Sequence, residues 1–141
     1  MPLPPPDSLM RPPNEAVFAW LRGKSAHSDP AGALRRATEA LPDFGDFTPD
    51  GLRFAYYVVF RAHVVFGFVE GMRGVTLRLP PEKVDSLAAR GATRVRELGD
   101  DWVFLALYED GGFDDELAKL AREAHAFAAG FDASAGAAGA R

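Results

Sequence analysis

Cysteine is absent from this chain of 141 residues, which excludes disulfides and thiolate metal sites. A chain without cysteine fits a cytoplasmic protein. No apolar run reaches the roughly 20 residues of a membrane-crossing helix, because Arg61, His63, Glu70 and Arg73 interrupt the best candidate. The opening MPLPPPDSLMRPP lacks the basic start and apolar stretch of a secretion signal. A soluble, cytoplasmic domain without a membrane partner is expected. Histidine is scarce: His27, His63 and His125 fall at no metal-ligand spacing, and HExxH is missing. Ser25, Ser28 and Ser86 sit in no GxSxG elbow, and the glycines of GFVEGMRG fit neither GxGxxG nor a P-loop. With no catalytic, metal or cofactor signature, the expectation leans to a non-enzymatic protein with no cofactor.

What is present is centred on Arg53 to Leu79, RFAYYVVFRAHVVFGFVEGMRGVTLRL, where aromatic and β-branched residues run almost unbroken. Such side chains suit a pleated sheet. The first strand sets Phe54, Tyr56, Val58 and Phe60 against Ala55, Tyr57 and Val59, so both of its faces should be covered. Arg61, Ala62 and His63 make a corner, Val64–Val69 a second strand, and Gly71-Met72-Arg73-Gly74 a hairpin into Val75–Leu79. In that third strand Val75, Leu77 and Leu79 should point inward, and Thr76 and Arg78 outward.

Six of the eleven prolines lie in residues 1–13, predicting an extended, flexible arm that could dock in a partner's aromatic groove. Asn14 should cap a short helix carrying Val17, Trp20 and Leu21. Ser28 or Asp29 should cap a second, with Pro30 at its first position and Leu34, Ala37 and Leu41 buried. PDFGDFTPDG reads as a loop with Phe44 and Phe47 tucked inward. Pro80-Pro81 should open a third helix with Val84, Leu87 and Ala88 inward. Thr93–Leu98 reads as an edge strand and Trp102–Tyr108 as a strong strand. Phe113, Leu117, Leu120, Ala121, Ala124 and Phe127 form the apolar stripe of a last helix. Residues 130–141 should be a flexible small-residue tail, leaving 14–129 as one α+β domain with an antiparallel sheet of about five strands.

Charge is unevenly spread. Residues 51–98 carry eight Lys/Arg against four Asp/Glu, whereas 99–141 carry three against nine. One basic face, or two faces meeting in a homodimer, would follow, and so would an ordinary solvated surface. Arg61, Arg73, Arg78, Arg94 and Arg96, interleaved with Tyr56, Tyr57 and Phe60, could form a stacking-plus-phosphate surface for nucleic acid. A rival site would join His63, Tyr56 or Tyr57 and a carboxylate such as Glu70 or Glu97 in a small-molecule-binding or enzymatic centre. The acids Glu109, Asp110, Asp114, Asp115 and Glu116 suit a helix N-terminus better than a hard-cation loop.

Arg53-Phe54-Ala55, Leu77-Arg78-Leu79 with Pro81-Glu82, and Trp102-Val103, in that order, resemble the YjbR/MmcQ-like family of small bacterial domains. The resemblance covers residues 52 to about 127 and implies a frataxin-like (CyaY-like) α+β fold and a DNA-binding module. The chain departs from the family at Arg78, where a lysine usually follows the leucine, and at Glu97–Asp101, where the family is rich in His, Asn and Lys. It departs again at Glu123-Ala124-His125, where a Ser-Tyr pair is common. The Pro-Pro-Glu helix and the Trp-Val strand are also similar to small luciferase-associated domains of bacteria. The function implied is a binding module with a protein or nucleic-acid partner.

Overall fold

A computed structural model describes residues 3–49 and 55–139, with side chains up to residue 131. Leu52, Arg53 and Phe54, the expected start of the first strand and part of the resemblance, lie outside the described residues, as do residues 140 and 141 of the expected tail.

The order is α1 (Glu15–Leu21), α2 (Ser28–Thr38), β1 (Phe44–Phe47), β2 (Tyr57–Arg61), β3 (Val64–Val69), β4 (Gly74–Arg78), α3 (Pro81–Ala89), β5 (Thr93–Arg94), β6 (Trp102–Ala106) and α4 (Leu117–Gly139). The strands pair in the order β1-β2-β3-β4-β6-β5, every pair antiparallel. The fold is α+β as expected, with six strands rather than about five. The added strand is β1: the segment read as a loop pairs Phe44 with Arg61 and Phe47 with Val58. Its proline, glycine and aspartate conceal the strand. Gly45 is where the Phe60 ring crosses it, leaving no room for a Cβ.

Alternation along the strands builds two cores. One face carries Tyr57, Val59, Val75, Leu77, Val103 and Leu105 and is covered by α2, α3 and α4. The other carries Val58, Val65, Phe68 and Trp102 and is covered by α1 and by Leu9 from the Pro-rich segment. That segment forms a 3-10 turn at Asp7–Leu9, and Leu9 is buried. Removing such side chains from water is worth about 1.5–3 kcal/mol each, so a sheet filled on both sides needs no further cover. In β3 the register breaks: Val59 faces Gly67 and Phe60 faces Val65, leaving Phe66 as an extra residue. The bulge lets Phe66 join the first core while Val65 and Phe68 serve the second.

Several local readings differ from the structure. Asn14 precedes α1 but makes no side-chain cap. It is fully buried, donates to the carbonyls of Leu9 (2.9 Å) and His63 (2.6 Å), and accepts from the Val65 N–H (2.9 Å). The cap of α2 is His27, whose Nδ1 accepts from the Asp29 N–H. Strand β5 holds two residues before the chain turns. Strand β6 ends at Ala106, and Tyr108 adopts φ 62° with its N–H on the Asp114 carboxylate. The expected outward pair in β4 is buried, Thr76 at 3% and Arg78 at 7% exposure, because the second face is filled as well.

Candidate functional site

The sequence-nominated arginines do not converge. Arg61, at the end of β2, donates to the His125 carbonyl and lies 3.4 Å from its Nδ1. Since a guanidinium only donates, Nδ1 accepts and Nε2 carries the hydrogen that meets the Pro42 carbonyl at 2.6 Å. His125 is buried, with its ring edge-on to Phe66. Arg94 lies at the other edge of the sheet and binds Asp85 of α3. Arg73 pairs with Glu109. Arg96 is exposed beside Arg94 in a hollow of about 330 Å³ that Asp100 also lines.

Arg78 is the largest correction to the nominated surface. Its Nε holds Asp101 at 2.7 Å, and its guanidinium sits 3.8 Å from the Phe131 ring centre and 5.3 Å from that of Trp102. Its Nη1 is buried without a partner among the described residues. A charge enclosed this way ties β4 and β6 to α4 and presents little to solvent, its side chain being 9% exposed.

Tyr57 is likewise withdrawn, 1% exposed, with its hydroxyl donating to Asp46 at 2.7 Å. Burial, with Asp46 beside it, drives the Tyr57 hydroxyl far above the ordinary tyrosine range. Tyr56 lies on the opposite face between Phe18 and Phe47, and burial raises it too. His63 is exposed in the β2–β3 turn, at the far end of β2 from Tyr56. Glu70, a nominated partner of His63, lies near Lys24 instead, at 3.9 Å. The strand therefore separates the members of the rival His/Tyr/carboxylate centre.

The acids of the C-terminal third have positions of their own. Asp114 holds the Tyr108 N–H, and Glu116 forms a two-pronged pair with Arg90 that keeps its carboxyl below the usual carboxylate range. No group of three or more His, Cys, Asp or Glu among the described residues is placed to hold a metal ion. Together with Arg73–Glu109, Arg78–Asp101 and Lys83–Glu123, the Arg90–Glu116 pair takes up part of the charge split. Four of the eight cations of the middle third thus pair with acids of the last third.

What the packing leaves open is a groove of about 550 Å³ between α3 and α4, lined by Pro80, Glu82, Lys83, Ser86, Glu123, Ala126 and Phe127. It is larger than the hollows beside Tyr56 (about 260 Å³) and beside Met72 and Phe104 (about 410 Å³). The inward stripe of α4, Leu120, Ala121, Ala124 and Ala128, is fully buried, which leaves Phe127 half-buried on its flank. Phe127 stacks edge-on against Phe131 at 4.9 Å, so its ring is held in place. Across the groove the Lys83 ammonium stands 3.7 Å from Oε1 of Glu123, while Oε2 is buried with no partner among the described residues. An aromatic floor, flanking carboxylates and a hydroxyl make a surface that can bind, with polar groups that can orient what is bound.

Sequence reasoning left this groove out. Its members come from segments about 40 residues apart, and Phe127 reads as one more buried stripe residue. The available signal was angular: at about 100° per residue, Phe127 falls at the edge of the stripe. No helix among the described residues is long and apolar enough to cross a membrane. No family model, no curated protein and no solved structure matches the chain.

Proposed function

We propose that this domain is a binding module whose partner is another polypeptide, received in the groove between α3 and α4. The observation that carries the reading is the groove itself, in which a half-buried phenylalanine held by its neighbour lies beside the Glu123 carboxylate. Fixed aromatics next to oriented polar groups are what energetically dominant interface residues look like. Internal pairing of the middle-third arginines favours a protein over a nucleic acid, because phosphate binding relies on cations free to replace counterions. The separation of His63 from Tyr56 favours binding over catalysis. The likeness to YjbR/MmcQ-like domains, carried by Leu77-Arg78-Leu79, Pro81-Glu82 and Trp102-Val103, makes DNA the rival ligand.

Selection of displayed random peptides against the full chain, followed by calorimetric titration of a selected peptide, tests the reading. Ala126 is exposed in the groove, so Ala126→Trp fills the space without disturbing a core. The selected peptide should bind the wild type and lose at least about tenfold in affinity on Ala126→Trp, a change of about 1.4 kcal/mol. Unchanged affinity overturns the proposal. So does duplex DNA binding that weakens steeply with salt while no peptide is selected.

A further inference from the structure

The proposed reading leaves open what in the partner the groove recognises, and the inference here rests on that reading. We infer that the groove takes a cationic side chain, a lysine or arginine carried on an apolar stretch of the partner. Three observations converge. First, the Glu123 side chain, 38% exposed, lines the groove with only the loose contact of its Oε1 with Lys83 at 3.7 Å. A carboxylate held this loosely has acceptor capacity to spare, and a charged donor makes the strongest hydrogen bond to it. Second, Glu82 lines the same groove, so its two carboxylates outnumber the single ammonium of Lys83 and the local field favours a cation. Third, Phe127 offers the partly exposed face of a ring beside that carboxylate. Cations settle over such faces, and the methylene stem of a lysine or arginine packs on them. An acidic peptide would meet Glu82 and Glu123. A purely apolar one would give the Glu123 carboxylate no donor.

The test uses two capped tripeptides, leucine-lysine-leucine and leucine-norleucine-leucine, titrated into the full isotope-labelled chain and followed by amide chemical shifts. The lysine peptide should move the amides of Lys83, Ser86, Glu123 and Phe127 and bind about tenfold more tightly than its neutral counterpart, the scale of one charge-assisted hydrogen bond. Glu123→Gln should bring the two affinities within about twofold. Ala126→Arg, which tethers a guanidinium in the groove from an exposed position, should weaken the lysine peptide about tenfold. Equal binding of the two peptides at these amides overturns the inference and leaves the groove reading standing. If neither peptide moves these amides while displayed peptides still lose affinity on Ala126→Trp, the inference alone fails. A dimer in sedimentation equilibrium that Ala126→Arg dissolves would mean that a second copy occupies the groove, which also overturns it.

Discussion

Asn14 offers the sharpest test of how the two layers of this fold are joined. Its side chain makes three hydrogen bonds to separate parts of the chain: the Leu9 carbonyl, the His63 carbonyl and the Val65 N–H. Asn14→Ala deletes all three. The His63 carbonyl sits at an exposed turn where water can replace the amide, but Leu9 and Val65 are 1% and 0% exposed. The Leu9 carbonyl keeps the Arg11 N–H at 3.0 Å, so the Val65 N–H is the buried group left orphaned and the loss is about 1–3 kcal/mol, a sizeable share of the roughly 5–15 kcal/mol a domain has. The vacated space is small and ringed by polar groups, so an entering water would hold Asn14→Ala to the lower end of that range. Asn14→Leu leaves no room for that water and should lie at the upper end. Urea unfolding followed by tryptophan fluorescence measures both, and amide exchange at Val65 should accelerate in step. A loss under about 1 kcal/mol in both variants, or a milder effect for leucine than for alanine, would refute the reasoning.

Other consequences are as direct. Arg78→Met strands the Asp101 carboxylate, 12% exposed, and should cost about 3–5 kcal/mol, whereas Arg78→Met with Asp101→Leu should recover most of that in the same unfolding assay. Gly74→Ala drives a Cβ into the Leu105 carbonyl of the neighbouring strand, a backbone atom that cannot swing aside, and should cost at least about 2 kcal/mol. Tyr56, Tyr57 and Tyr108 all hold their protons more tightly in the folded state than at the ordinary value near 10. Their contribution is therefore complete below that pH and lost above it, at about 1.4 kcal/mol per pH unit for Tyr57. Tyrosinate absorbance should lag behind free tyrosine on raising the pH and then rise together with loss of folded signal. A normal titration with the fold intact would contradict the burial of Tyr57.

Much of the architecture was legible because its patterns are strong and local. The break at Ala62-His63, the bounds of Val64–Val69, and the opposed faces of Trp102/Phe104 and Val103/Leu105 all follow from alternation. Where every position is apolar, alternation loses its phase, so the bulge at Phe66 leaves no trace in the sequence. Arg78 misled for a related reason. One basic residue among apolar ones reads as outward-facing, and its partner Asp101 is 23 positions away. Asn14 looks like any helix cap until the chain brings His63 and Val65 to it across 49 and 51 positions. The charge split was visible but not its use, because pairing of Arg73 with Glu109 and Arg90 with Glu116 depends on the sheet order. The groove is the extreme case. It exists only where two separately legible helices, α3 and α4, fail to close on each other.

A photo-crosslinking amino acid placed at Ala126, in the groove, and separately at Ala19, exposed on α1 over the opposite sheet face, locates the partner most directly. With a display-selected peptide bound, position 126 should crosslink and position 19 should not. Crosslinking from Ala19 with silence at Ala126 would contradict the account.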